Sequence, residues 1–441
     1  MIGKILEQIK KDNVKFVSLQ FTDIFGIVKS VVITSNHLEE ALEKGKWFDG
    51  SSIEGFARIY ESDMFLKPDV DTYAVIPWLN SQDGNTARFI CEVYTANGQI
   101  FEDDPRYILK KVMAEAEKMG YNYYTGPELE FFLFKKENGL FKPLPHDRGG
   151  YFDLNMDLAY EIRRDISIAL QKFGIDVETS HHEVAIGQHE IDIKYGNALK
   201  TADNVMTMKF VIKAVAEKYG LLATFMPKPI AGINGSGMHV HQSLFKKDVN
   251  AFFDANEKYR ISKIAKSFIA GQLNHVKAMC FVTSPTVNSY KRLTPGYEAP
   301  VYISWARENR SALMRVPAFQ SERPNAARVE LRCPDPSSNI YLAFAVMLKA
   351  GLDGIKNNAQ PPEPIEESLY EFDDEKLKKL NIAQLPSSLL EALHEFENDE
   401  VIRSAFGAYL CKKYIEAKNN EWNEFKLHVS EWEINRYAEI Y

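Results

Sequence analysis

The stretch Gly126-Pro-Glu-Leu-Glu-Phe-Phe-Leu-Phe134 constrains the fold more than any other. Read with a period of two, Leu129, Phe131 and Leu133 point one way, and Glu128, Glu130, Phe132 and Phe134 the other. One face is wholly apolar, and the opposite face starts with two carboxylates and ends in two phenylalanines. That pattern predicts a strand covered on both sides. Two ionised carboxylates in such a place need a cation, because burial without a partner costs several kcal/mol per ion or forces protonation. For Glu-x-Glu alone the commoner explanation is a solvated strand end, so the rest of the chain has to decide.

At 441 residues the chain is long enough for two domains with a large interior. A hydrophobic share of 45% and a charged share of 26% are ordinary for a globular protein and exclude disorder. The net charge of −8, with Lys and Arg scattered, argues against nucleic acid or an anionic membrane as partner and for small molecules. Cys91, Cys280, Cys333 and Cys411 are widely spaced, without a CxxC pair, and read as reduced and mostly buried. The N-terminal MIGKILEQIKKDN is a lysine-bearing amphipathic helix, not a signal peptide. No apolar run reaches membrane-spanning length, so the cytoplasm is the expected compartment.

Residues 1–104 read as a small mixed unit: an opening helix, strands at 14–23, 27–33, 73–77 and 86–94, and a helix at 37–44. The loop 47–56 is too apolar and too rich in Gly and Ser to be a mere tether. The boundary falls at Glu102-Asp-Asp-Pro105, before a helix at 107–119 ended by Gly120. Residues 105–441 form the larger unit. Its helices are expected at 157–173, 202–219, 260–280, 340–357 and 389–397, with another running from about 399 into a tail rich in Trp, Glu and Tyr. Its strands are expected at 126–134, 176–179, 190–195, 223–225, 237–244, 311–316 and 327–332. The expected class is α+β, a small N-terminal domain and a large domain built on a mostly antiparallel sheet flanked by helices.

Three further stretches carry alternating polar faces. In Asn234-Gly-Ser-Gly-Met-His-Val-His-Gln-Ser243, a Gly-rich turn enters a strand with His239, His241 and Ser243 on one face. Alternating histidines can bind a metal or phosphate, and cross-strand packing explains them equally well. The turn lacks the Lys-Ser/Thr of a Walker loop, yet its bare backbone admits an anion closely. In Ala327-Arg-Val-Glu-Leu-Arg-Cys-Pro334, Arg328, Glu330 and Arg332 share a face, which suits either a site or an edge strand in water. His181-His-Glu-Val-Ala-Ile-Gly-Gln-His-Glu190 sets two acids seven residues apart around a glycine, as in a tight connection whose ends return to one place. Further arginines, Arg292, Arg310 and Arg315, lie in and near Pro- and Gly-bounded loops. Glu128, Glu130, Glu183, Glu190 and Glu330 carry −5, close to the +4 of two divalent cations. Oxygen ligands with one imidazole suit Mg²⁺ or Mn²⁺ rather than zinc. Two hard cations with several arginines describe a site for phosphoryl transfer from a nucleotide to an acidic acceptor.

In their order and over nearly the whole chain, these motifs resemble type I glutamine synthetase, the bacterial and archaeal form. The resemblance implies a β-grasp-like small domain and a homo-dodecamer of two stacked hexamers. Each site would lie between the large domain of one subunit and the small domain of its neighbour. The implied reaction joins ammonia to the side-chain carboxylate of L-glutamate at the expense of ATP, through γ-glutamyl phosphate. Carried over by motif, one of two metals per site would sit on Glu130, Glu183 and Glu190, the other on Glu128, His239 and Glu330. Arg310 and Arg315 match contacts to the transferring phosphate and nucleotide, and Arg292 and Arg332 contacts to substrate carboxylates, where a guanidinium fork fits planar anions. Asn234, Gly235 and His239 match the glutamate pocket. Glu178, Tyr195, His241, Ser243 and Arg328 match the ATP site. Asp49, in Asp49-Gly-Ser-Ser52, matches the base that takes a proton from ammonium, although an Asp-Gly turn alone would explain it. Glu298 matches a flap that excludes water from the acyl phosphate.

Asn325 departs from the lysine many relatives carry three residues before the arginine at 328. The chain resembles the branch that is not adenylylated, although Tyr370 lies near the modified position of the other branch. Arg58 matches a residue used for glutamine feedback, which implies metabolite control, and nitrogen-regulatory proteins are implied partners. Two other readings compete: a γ-glutamyl ligase acting on another amine such as a polyamine, and a non-catalytic nitrogen-sensing relative. The complete Asp-Gly-Ser-Ser loop argues against the first, and the full set of six ligands against the second.

Overall fold

The computed structural model describes residues 2–53, 62–137, 140–320 and 322–441. The expected regulatory Arg58 lies outside them. The first 95 residues contribute β1 (Val14–Thr22), β2 (Val28–Thr34), β3 (Lys46–Asp49), β4 (Asp63–Pro68), β5 (Ala74–Val75) and β6 (Asn85–Thr95). They form one six-stranded sheet of order β2-β1-β6-β4-β3, with β5 beside β6. β1 and β6 run parallel, and the other pairs antiparallel. Val17, Leu19 and Phe21 of β1 alternate into a core that the helices Ile2–Lys11 and Leu38–Lys44 cover through Ile9, Leu38, Ala41 and Leu42. β3 and β4 were not expected from the sequence, because their charged ends and the Gly- and Ser-rich sequence after Asp49 mask two short runs.

The helix Pro105–Lys118 follows, capped by the Asp104 carboxylate and ended where Gly120 takes φ +83°. Beyond it lie β7 (Asn122–Glu137), β8 (Leu140–Pro145), β9 (Val177–His182), β10 (Gln188–Ile193), β11 (Gly196–Asn197), β12 (Leu221–Thr224), β13 (Val240–Lys246), β14 (Val249–Asn250), β15 (Trp305–Ala306), β16 (Met314–Arg315) and β17 (Val329–Leu331). They build an 11-stranded sheet whose main path is β15-β16-β17-β13-β7-β10-β9. All its pairs are antiparallel except β15 with β16. The long β7 is the axis, and both its faces are covered as expected. Leu129, Phe131 and Leu133 enter the main core, while Phe132 and Phe134 pack with Ala185, Ile230 and Ile233.

Helices Tyr160–Lys172, Ala198–Lys218, Lys263–Thr283, Ile340–Lys356 and Leu389–Asn398 pack on this sheet and on each other. A Cβ at Gly271 would meet the Ala350 carbonyl at 2.2 Å, so two of these helices cross in backbone contact that only glycine allows. The expected long C-terminal helix is three pieces, Glu400–Arg403, Ala408–Leu427 and Glu431–Tyr437. Gly407, closely packed on Asp103, and the capping box of Ser430 and Glu433 punctuate them. The expected strand 311–316 shrinks to β16, because Ser311 bonds the Asn309 side chain through both its N–H and its hydroxyl. The four cysteines are free and buried, as expected. Among the described residues, no helix is long and apolar enough to cross a membrane.

Candidate active site

Strand register brings the polar residues into rows. Glu330 of β17 pairs with Arg315 of β16 on one side and with His241 of β13 on the other, and His241 pairs with Gly126 of β7. Glu128 pairs with Asp192, and Glu130 with Glu190, which in turn faces His181 of β9. Paired residues share a face of the sheet, so strands remote in sequence place four glutamates on one floor, and the connection after β9 adds Glu183. This floor lines a cavity of about 490 Å³ together with Arg292, Arg310, Arg315, Arg332, Asn234, Gly235, His239 and Glu298. A second cavity of about 350 Å³ shares Glu128 and Asp192 with it and is lined by Glu178, Tyr195, His241, Ser243, Asn325 and Arg328.

The floor has two electrostatic halves. In the first, His239 Nδ1 lies 3.1 Å from Glu128, and His241 Nε2 lies 2.7 Å from its other oxygen. Arg328 Nε donates to His241 Nδ1 at 3.3 Å, so the His241 proton sits on Nε2 and points to Glu128. Glu330 receives Arg315 Nε at 2.5 Å and lies 3.6 Å from Arg332. Burial pushes Glu128 up, but hydrogen bonds with His239 and His241 outweigh it and hold the carboxyl well below its usual range. Burial likewise opposes Glu330, and His241, Arg332 and His239 bring it down.

The second half has no comparable supply of cations. Burial, then the charges of Glu190 and Glu183, push Glu130 well above the usual carboxylate range. Burial, then Asp192 and Glu128, do the same to Glu190, and burial raises Glu183. Glu130 Oε2 accepts from Gln188 Nε2 at 2.8 Å and from Gly237 N–H at 2.9 Å. A Cβ on Gly237 would meet Arg292 Nη2 at 2.5 Å, so the turn brings bare backbone between a carboxylate and a guanidinium. Arg292 is itself fixed by the carbonyls of Cys333 and Arg332 at 2.9 and 3.1 Å.

Ligand atoms of Glu128, His239 and Glu330 lie within 4.8 Å of one another, and so do those of His181, Glu183 and Glu190. Both trios are the donor sets a hard divalent cation takes, and the buried, mutually repelling carboxylates of the second half need one. The sequence grouped Glu130 with Glu183 and Glu190; the close trio has His181 in place of Glu130, its Nε2 3.2 Å from Glu190. A third trio, Asp147, His182 and His189, is wholly buried behind the floor. There Asp147 Oδ1 accepts from Gly187 N–H and faces His182 Nε2, both at 2.9 Å, while His182 Nδ1 faces the Glu183 carbonyl at 2.6 Å. Arg163 occupies His189 Nδ1 and leaves the buried Nε2 without a hydrogen-bond partner, while Asp147 and His182 brace the 183–190 connection.

Every expected residue of the catalytic, metal, glutamate and ATP sets lines one of the two cavities, with one exception among those described. Asp49 ends β3 in the small sheet, exposed, accepting from Ser51 N–H at 2.8 Å and Ser51 Oγ at 2.7 Å. Those bonds lower its pKa. Sequence reasoning missed Gln188, Tyr151, Tyr297 and Asp192. The pairing of Asp192 with Glu128 could have been inferred from alternation with Glu190, whereas Tyr151 and Tyr297 sit in loops without periodicity.

The model of the glutamine synthetase catalytic domain matches residues 102–437, and that of the glutamine synthetase beta-grasp domain matches residues 13–96. The chain is 54% identical to a glutamine synthetase of Thermotoga maritima over 441 residues, covering 99% of each chain. It is 52% identical to one of Clostridium saccharobutylicum, covering 99% of this chain and 98% of the relative. Among solved structures it is similar to Plasmodium falciparum glutamine synthetase, with TM-score 0.88, 28% identity and coverage of 99% and 98%.

Proposed function

Because the chain belongs to the glutamine synthetase family, we propose that its two joined cavities hold L-glutamate and ATP and that a neighbouring copy completes each site with Asp49. The reaction is the ATP-dependent joining of ammonia to the side-chain carboxylate of glutamate. The larger cavity, with Arg292, Arg332, Asn234 and Gly235, takes glutamate; the second, with Glu178, Tyr195, His241, Ser243 and Arg328, takes the nucleotide. The shared edge at Glu128 is where γ-phosphate and carboxylate meet. Glu130, Glu183 and Glu190, with His181 beside them, would hold one divalent cation, and Glu128, His239 and Glu330 a second, Mg²⁺ or Mn²⁺. Such ions neutralise phosphate charge and orient the transfer.

Arg310 and Arg315 face the transferring phosphoryl group, and Glu298 closes the wall against water that would hydrolyse γ-glutamyl phosphate. Asp49, ionised and held by Ser51, takes the proton of ammonium. The exposure of Asp49 away from both cavities is the observation that carries the shared site. Trp47 beside it, Tyr151 of the cavity lining with Phe152 stacked on it, and Leu154 are exposed apolar surface, as are Leu427, Trp432 and Ile440 of the C-terminal tail. These faces support a homo-dodecamer of stacked hexamers; a cytoplasmic location and two domains divided near residue 104 are part of this reading. Metabolite control through Arg58 belongs to the same proposal.

The test is complementation. Asp49→Ala and Glu330→Ala, each nearly inactive alone, are dissociated, mixed and reassembled, and ammonia-dependent glutamine formation is measured. Sites built from two chains recover up to about a quarter of full activity by random mixing; no recovery would place Asp49 and Glu330 in the same chain's site and sink the reading.

A further inference from the structure

Around the cavity wall formed by Tyr297, Glu298 and Ala299, the chain shows backbone held away from its relaxed geometry. Glu298 has φ +57°, in the left-handed region that a non-glycine side chain adopts only at a cost of about 1 kcal/mol or more. Gly296, at φ +94°, supplies the turn before it. Such a segment stays in place only where other contacts hold it, and three are present. Asn234 Nδ2 donates to Glu298 Oε2 at 3.1 Å. The Tyr370 hydroxyl donates to the Ala299 carbonyl at 3.1 Å. The Lys228 ammonium lies 3.7 Å from the centroid of the Tyr297 ring.

Lys228 is the least expected of these. It is only 8% exposed, in the segment Met226-Pro-Lys-Pro229 that joins β12 to the glycine-rich turn. Its Nζ also donates to the Ile233 carbonyl. Asn288 clasps its backbone from both sides, accepting from Lys228 N–H at 2.8 Å and donating to its carbonyl at 3.0 Å. An ammonium placed between a ring face and a carbonyl is partly shielded from water, which strengthens both contacts. The cation thus ties Tyr297 to the turn that carries Asn234 and Gly235.

We propose that Lys228 and Tyr370 are positioning residues that clamp the 296–299 segment shut over the reacting carboxylate, Lys228 through Tyr297 and Tyr370 through the Ala299 carbonyl. The inference rests on the reading of Glu298 as the group that excludes water. With the clamp loosened, water attacks the acyl carbon of γ-glutamyl phosphate. The acyl carbon–oxygen bond breaks, phosphate leaves with the electron pair, and glutamate is regenerated with one ATP spent and no glutamine formed.

The experiment measures glutamine formed per phosphate released, with Mg-ATP, glutamate and ammonia, in the assembled full-length protein. Lys228→Met should lower that ratio at least about two-fold and raise the KM for glutamate, while Lys228→Arg, which keeps a cation over the ring, should restore most of it. Tyr370→Phe should lower it less. Tyr297→Leu, which removes the ring but not the Ile233 bond, decides the matter if Lys228→Met fails to fold. A stoichiometric ratio in both Lys228→Met and Tyr297→Leu, beside a lowered one in Glu298→Ala, would overturn the clamp alone. A stoichiometric ratio in Glu298→Ala as well would overturn the water-excluding role and the clamp with it.

Discussion

The two halves of the carboxylate floor are built on the same sheet and buried to a similar degree, yet they obtain their positive charge differently. Around Glu128 and Glu330 the chain supplies its own, from His239, His241, Arg315 and Arg332. Around Glu130, Glu183 and Glu190 it supplies too little, and the carboxyls are pushed up by burial and by one another. The first half can persist as a hydrogen-bonded ion network without a metal. The second is stable in ionised form only with a bound cation, so metal affinity and folding stability are linked there.

The contrast predicts opposite responses to removing one charge. Glu130→Gln keeps an oxygen to accept from Gln188 and Gly237 while deleting the repulsion. In chelator it should unfold at the same or higher denaturant concentration than the unmodified chain, and lose most of the stabilisation that added Mg²⁺ confers. Glu330→Gln leaves Arg315 and Arg332 beside a neutral group and should lose about 3 kcal/mol in the same chelator. Both should lose at least about 100-fold in activity. Unfolding midpoints in the reverse order would show that the halves do not differ as described.

Gly237 sits on the seam and sharpens the comparison at smaller cost. Its Cβ would press on Arg292 Nη2 at 2.5 Å and lie 3.2 Å from Glu130, and Arg292 is tied to two carbonyls that resist its retreat. Gly237→Ala should destabilise by about 1–3 kcal/mol and raise the KM for glutamate about ten-fold. The KM for ATP should change little, because the nucleotide cavity does not include Gly237. Equal changes in both constants would mean that the substitution disturbs the whole sheet rather than the seam.

How much of this was legible depended on period. Glu128, Glu130, His241 and Glu330 lie on strands whose alternation marks the face, and His239 directly precedes β13, so their convergence could be read once the strands were recognised. The pairing of strands could not be read: nothing local to Glu330 says that it lies opposite His241 rather than in water, and only the register excludes the solvated edge. Lys228, and the contact of Tyr370 with the 296–299 segment, were invisible for a related reason. Their roles are set by loops folded from distant segments, where neither spacing nor composition carries a signal. β3 and β4 were missed because four- and six-residue strands give too few alternations to stand out from the sequence around them.

A third cluster tests whether self-supplied charge, as around Glu128, is stable without any metal. Outside both cavities, His275 in the helix Lys263–Thr283 faces Asp399 at 2.6 Å through Nδ1 and Asp353 at 3.2 Å through Nε2. With an acceptor at each nitrogen, the imidazolium is the form that satisfies both. Burial pulls the His275 pKa down, but the bond to Asp399 and its charge, then Asp353, raise it overall; burial opposes Asp399, whose bond to His275 lowers it. A raised folded pKa means that the stabilisation from His275 is complete below the unfolded histidine value of about 6.5 and fades as pH rises through the folded value. The lowered Asp399 works the other way, its contribution complete above about 3.9 and lost as pH falls through the folded value. Between those limits, in chelator, the unmodified chain should hold an advantage of about 1 kcal/mol over His275→Gln, and the advantage should shrink toward alkaline pH. Melting curves of both proteins from pH 5 to pH 9 would show it. A difference independent of pH would mean that His275 acts through packing alone, and that charge supplied by the chain is worth little outside the site.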